Sequence, residues 1–231
     1  MKQPSAILFD NDGVLIASEP LHWNAWEHLL SELGLPYNNS EMRGFVGRTA
    51  PEIILALLNR YSPGWDRARY DLVGLAQRKN DIYLKLAQAQ LSAYPGVREG
   101  LEWLRSRGIK SAVVTNAKRR ELDASMMITG LGELIDLHVS RDDVAEPKPD
   151  PTPYLFAAAG LEVLPGDCIA VEDSPTGLEA ALMGRIPAAA VATNFPESAL
   201  RTPIPGRPDL MPIFVGADAA SFFEWLKGAV N

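Results

Sequence analysis

The sequence predicts an α/β protein, a doubly wound parallel sheet with a helical block inserted after its first strand. From Tyr94 onward, short apolar runs alternate with helical patterns, as in the β-α units of a parallel sheet. Three runs along the chain stop abruptly at polar residues: Ala6 to Phe9 at Asp10 and Asp12, Ile109 to Val114 at Thr115 and Asn116, and Cys168 to Val171 at Glu172 and Asp173. Between residues 18 and 93 the pattern is helical and strand-poor.

Ile7, Leu8 and Phe9 form a run apolar at every position, as in a strand buried on both faces. Glu19-Pro20 then opens a helix to about Leu33, with proline in the first turn and Gly34 just past the end. Leu21, Ala25, Trp26, Leu29, Leu30 and Leu33 keep helical spacing along it. Thr49 followed by Glu52, ahead of Ile53, Ile54, Leu57 and Leu58, is a capping-box signature. A further long helix is expected from Asp66 to about Ala89. After Tyr94-Pro95-Gly96 the expected order is helix 97–107, strand 109–115, helix 118–129, strand 135–140, helix 151–160, strand 168–171, helix 175–183 and strand 188–192. Five prolines between 196 and 212 mark an irregular excursion before a short strand at 213–215 and a closing helix at 218–229.

The 231-residue chain is long enough for a substantial core, and its 47% hydrophobic and 22% charged content is that of a soluble globular protein. A formal charge of −7 offers no electrostatic footprint for nucleic acid or an anionic membrane. No apolar run approaches the roughly 20 residues of a membrane span. The chain enters a strand within its first residues, so no signal peptide is expected. Cys168 is the only cysteine and cannot form an intrachain disulfide. A cytoplasmic location is therefore expected. No sustained apolar seam appears, so a monomer is expected.

At strand spacing Asp10 and Asp12 project to one side of the carboxyl end of the first strand, the edge where open α/β sheets bind ligands. Two crowded carboxylates need a proton, a cation or water between them. A solvated turn is the plain alternative, since Asp and Gly favour turns. In a parallel sheet, Thr115, Asn116, Lys148, Glu172 and Asp173 come to the same edge. The carboxylates would hold a hard cation such as Mg²⁺. Lys148 and Thr115 suit a dianionic phosphate. Asp10 is then placed as nucleophile, Asp12 as general acid and base, and Lys148 as the group that neutralises Asp10.

Taken together, Asp10-Asn11-Asp12-Gly13, Val114-Thr115-Asn116, Glu146-Pro147-Lys148-Pro149 and Val171-Glu172-Asp173-Ser174 resemble, in order and spacing, the four motifs of the haloacid dehalogenase superfamily. The resemblance implies a Rossmann-like catalytic core over residues 1–17 and 94–231, with an α-helical cap domain over 18–93. It implies Asp10 and Asp12 as catalytic and metal-binding residues, Asp12 binding through its carbonyl. Thr115 and Asn116 would bind the phosphoryl group, Lys148 would be the motif lysine, and Glu172 and Asp173 would complete an Mg²⁺ site.

The helical block is similar to the cap of β-phosphoglucomutase and related sugar-phosphate phosphatases. That likeness nominates His22, Trp26, Arg48, Thr49 and Lys79 as substrate contacts. The mutase arginine that grips the distal phosphate falls at Ala50, and a nearby lysine falls at Val46. Losing a bidentate phosphate clamp tilts the expectation away from a mutase. The expected function is an Mg²⁺-dependent phosphomonoesterase acting on a small phosphorylated metabolite, a sugar phosphate foremost, through an aspartyl-phosphate. The alternatives are a β-phosphoglucomutase-like mutase, a haloacid dehalogenase and a non-catalytic binding module. Asp12 and the Glu172-Asp173 pair argue against a dehalogenase, which needs neither.

Overall fold

The computed structural model describes residues 1–45, 49–66, 70–204 and 206–230. By internal packing, residues 1–17 and 92–231 form one unit and residues 18–91 a second.

The first unit is built on a six-stranded, wholly parallel sheet: β1 (Ala6–Phe9), β2 (Lys110–Val114), β3 (Leu137–Val139), β4 (Cys168–Glu172), β5 (Ala188–Val191) and β6 (Phe214–Gly216). The spatial order is β3-β2-β1-β4-β5-β6, so the chain reverses its direction of travel across the sheet next to β1. Ligands of open α/β sheets bind at such a switch point. All four β1 residues are fully buried, with Leu8 registered against Ala112 on one side and Ala170 on the other. This is why β1 is apolar at every position rather than alternating.

The helices α5 (Val97–Ser106), α6 (Arg119–Thr129), α7 (Thr152–Gly160), α8 (Pro175–Met183), α9 (Glu197–Leu200) and α10 (Ala219–Ala229) complete this unit. On one face Leu8, Val114 and Ala170 share a core with Tyr154 and Ala157 of α7 and with Ala180 and Ala181 of α8. Small residues on both sides of the contact, Ala180 and Ala181 against Ala188 and Ala190, let α8 lie close to β5. On the other face Phe9 packs against Phe222 and Phe223 of α10, ring centroids 6.1 and 5.7 Å away. α10 starts where Asp218 accepts a hydrogen bond from Ser221 N at 2.9 Å.

The second unit contains α1 (Glu19–Glu32), α2 (Asn39–Arg43), α3 (Ala50–Tyr61) and α4 (Leu72–Gln90). Both α1 and α3 pack on α4, and Leu29, Leu30, Ile54, Leu57, Ile82 and Tyr83 are buried in this unit. Thr49 begins α3 as expected, its N–H and hydroxyl both donating to Glu52 Oε2 at 2.8 Å.

Some expectations shift. α4 starts at Leu72 rather than Asp66, because Asp71 caps it by accepting from Val73 N at 3.1 Å. The five-residue α2, capped by Asn38, escaped the periodicity argument because it is too short to show a stripe. The expected strands at 109–115, 135–140 and 188–192 shorten at their ends. The proline-rich excursion contains the short α9.

Candidate active site

Asp10 follows β1 directly, and its backbone N–H still bonds Val171 O at 2.9 Å. The chain then turns sharply at Gly13, whose φ is +80°. A β-carbon there would stand 2.1 Å from Asp173 Oδ2, so only glycine fits.

Lys148 lies at the centre of the site, 6% exposed. Its ammonium reaches Asp10 Oδ1 at 2.7 Å, Glu172 Oε1 at 2.6 Å and Val114 O at 2.7 Å. An ammonium has three donors, and all are engaged. Its nitrogen also sits 4.8 Å from the centre of the Tyr154 ring. Asn116 holds the Lys148 backbone from both sides, Oδ1 accepting from Lys148 N at 3.0 Å and Nδ2 donating to Lys148 O at 3.1 Å. The Asn116 side chain therefore orients the lysine segment.

Glu172, the last residue of β4, is 1% exposed. Its Oε1 accepts from Lys148 and from the Tyr154 hydroxyl, and Oε2 accepts from Ser174 Oγ at 3.2 Å. Ser174 also caps α8, accepting from Gly177 N at 3.1 Å. A β-carbon on Gly177 would fall about 2 Å from the Glu172 carboxylate. Asp173, 4% exposed, accepts from Asn194 Nδ2 at 2.6 Å. Thr115 Oγ1 accepts from Ala117 N at 3.0 Å and donates to Asp12 Oδ2 at 3.4 Å. The turn is tied to α6 through Asn11 Nδ2, which donates to Ser125 Oγ at 3.3 Å.

Oxygens of Asp10, Glu172 and Asp173 all lie within 4.8 Å of one another. Burial pushes the Asp10 carboxyl up to about 8, with the neighbouring Glu172 and Asp12 adding to the rise and Lys148 opposing it. Burial likewise raises Asp173 well above the carboxylate range, helped by Asp10 and Glu172 and opposed by the Asn194 amide. Burial works against the Lys148 charge too, yet Asp10 and Glu172 together hold its ammonium above the ordinary lysine value. One cation thus leaves the acidic group under-neutralised. Hard oxygen donors at this spacing suit a divalent cation.

The nominated residues of the helical unit fall into separate groups. His22, Trp26 and Lys79 come together: Lys79 Nζ is 2.7 Å from His22 Nδ1 and 5.7 Å from the Trp26 ring centre, and His22 stacks on Tyr83 at 3.9 Å. Thr49 caps α3. Arg48 and Val46 lie outside the described residues.

Sequence reasoning missed Tyr154, Asn194 and Ser125, and gave no role to Asn11 and Ser174, which it had quoted within the motifs. Asn194 had a readable signal: Thr193-Asn194 follows a small, apolar strand just as Thr115-Asn116 does. Tyr154 had none, because a tyrosine on an apolar helix reads as core.

The family model described as haloacid dehalogenase-like hydrolase matches residues 7–191. A phosphorylated carbohydrates phosphatase of Thermotoga maritima is 32% identical over 176 residues, 76% of this chain and 79% of that protein. A phosphoglycolate phosphatase of Nitrosococcus oceani is 31% identical over 186 residues, 78% of this chain and 80% of that protein. Among solved structures, CbbY from Rhodobacter sphaeroides in complex with phosphate matches with a TM-score of 0.77 at 25% identity, over 95% of this chain and 96% of that one.

Proposed function

Because the chain belongs to the haloacid dehalogenase-like hydrolases, we propose that it is an Mg²⁺-dependent phosphomonoesterase of small phosphorylated metabolites, sugar phosphates foremost. The observation that carries this is Lys148 bridging Asp10 and Glu172 within a buried acidic group at the switch point of the sheet. Phosphatase names among the relatives support the same reaction class.

Asp10, Glu172 and Asp173, with the Asp12 carbonyl, would hold Mg²⁺. The ion would screen the phosphoryl oxygens from these acids and stabilise charge on the transferring group. Lys148 holds Asp10 Oδ1, leaving the other carboxylate oxygen to attack phosphorus. That attack forms an aspartyl-phosphate and breaks the phosphorus–oxygen ester bond. Asp12 donates the proton that the departing alcohol takes up. The now ionised Asp12 then accepts a proton from the water that attacks the aspartyl-phosphate, freeing phosphate and restoring Asp10. Thr115, hydrogen-bonded to Asp12, is the candidate hydroxyl for the phosphoryl group.

Within the helical unit His22, Trp26, Thr49 and Lys79, and Arg48 from outside the described residues, remain candidate substrate contacts. The pairing of His22 with Lys79 favours a phosphosugar mutase as the second reading. A panel of phosphorylated sugars and short phosphorylated acids, assayed with Mg²⁺, separates the two. Free phosphate, lost on chelation and in Asp10→Asn, supports the phosphatase. Isomerised phosphosugar stimulated by a bisphosphate supports the mutase. Neither product from the whole panel would sink both.

Among the described residues no helix is long and apolar enough to cross a membrane.

A further inference from the structure

Beyond β5 the chain carries Thr193-Asn194 into the site. Thr193 Oγ1 donates to Gly13 O at 2.6 Å, and Asn194 Nδ2 donates to Asp173 Oδ2 at 2.6 Å. A β-carbon on Gly13 would meet Asn194 Nδ2 at 2.4 Å and Asp173 Oδ2 at 2.1 Å. The turn at Gly13 and the segment after β5 thus both converge on the Asp173 carboxylate. Among the described residues Asn194 is the only hydrogen-bond donor to the Asp173 side chain.

We propose that Asn194 is a positioning residue for the divalent-cation site, its amide holding the Asp173 carboxylate turned toward Asp10 and Glu172. The inference rests on the metal-dependent reading of the site and adds to it a residue outside the four motifs. An ionised carboxylate has about four acceptor positions, so one amide bond leaves the other oxygen wholly open to a cation. A neutral donor also suits the place better than a lysine would. It fixes the carboxylate without adding positive charge, so the acidic group keeps its attraction for a metal ion. Outer partners that orient metal-binding carboxylates typically contribute about ten- to a hundredfold in metal affinity.

The test is calorimetric titration of Mg²⁺ into metal-free protein, with no substrate, for wild type, Asn194→Ala and Asn194→Leu. Leucine keeps the branched, four-heavy-atom outline of asparagine, is somewhat bulkier and lacks the donor. Both variants should bind Mg²⁺ about ten- to a hundredfold more weakly, with metal-free melting temperatures close to wild type. Their phosphate release should recover as Mg²⁺ is raised, a loss in metal half-saturation rather than in maximal rate. Wild-type binding that both variants match within about twofold would overturn this proposal alone. Weak binding in Asn194→Ala with normal binding in Asn194→Leu would also overturn it, by showing that asparagine only fills space. A metal-free melting temperature depressed by more than about 10 °C in both variants would assign Asn194 to the fold instead. A wild-type protein that binds no Mg²⁺ would remove the metal-dependent reading and this inference together.

Discussion

Tyr154 donates its hydroxyl to Glu172 Oε1 at 2.6 Å, sharing that oxygen with the ammonium of Lys148. The bond runs from a fully buried ring to a carboxylate that is 1% exposed. Burial, reinforced by Glu172 and Asp10, keeps the phenol protonated far above its ordinary range, so it acts as a permanent donor. Tyr154→Phe keeps the ring beside Lys148 and removes only that donor. Leaving a buried carboxylate oxygen short of a partner costs about 1–3 kcal/mol. Urea unfolding should show that loss, with a smaller fall in phosphate release.

Lys148→Met should be far more costly. It removes the ammonium bonded to both Asp10 and Glu172. Breaking a buried pair from one side typically costs about 3–5 kcal/mol. Without the ammonium the buried Asp10 carboxyl binds a proton more readily in the fold than in the unfolded chain, so stability should drop as pH rises. The deficit relative to wild type should be smaller at pH 5 than at pH 8. Urea unfolding at both pH values measures it, and a deficit independent of pH would contradict the buried-charge explanation.

Metal binding should itself depend on pH. The Asp10 carboxyl is raised from the ordinary 3.8 to about 8, chiefly by burial. Between those values the metal-free fold holds a proton that the unfolded chain has released, so stability falls as pH rises across that window. A cation must displace this proton. The rise in melting temperature on adding Mg²⁺ should therefore be larger at pH 8 than at pH 6. A larger rise at pH 6 would contradict the assignment.

Gly177→Ala places a methyl group about 2 Å from the Glu172 carboxylate. The carboxylate must then move off Lys148 and Tyr154. Forcing extra volume into a packed site costs about 1–3 kcal/mol. Phosphate release should fall more steeply than stability, because misplacing Lys148 also misplaces Asp10. Equal activity in the variant would show that Glu172 tolerates displacement.

Much of the site was legible because a parallel sheet gathers its strand ends along one edge. Asp10, Thr115, Glu172 and Asp173 each follow or end an apolar run, so periodicity alone located them. Lys148 lies in a loop rather than at a strand end, and it was legible because that loop comes to the same edge of the sheet as Asp10. The partners that hold these groups were harder to read. Tyr154 lies on α7 among alanines, where apolar burial and hydrogen bonding look alike in sequence. Asn194 lies past β5 in a run of small residues. The start of α4 was misplaced because Asp66 and Asp71 are both plausible caps, and periodicity cannot choose between them.

The path of the chain around Ala17 and Ser92 has a consequence for how such proteins diversify. Ala17 N bonds Ser92 O at 3.0 Å, Ile16 bridges to Ala93 in antiparallel fashion, and Tyr94 N bonds Leu15 O at 3.0 Å. The two ends of residues 18–91 are therefore zipped together inside the sheet-bearing unit. A segment whose ends already meet can change in length or sequence at little cost in chain closure. That makes this junction a socket: the chemistry can stay with Asp10 and Lys148 while whatever is plugged in at Ser18 is exchanged, lengthened or redesigned.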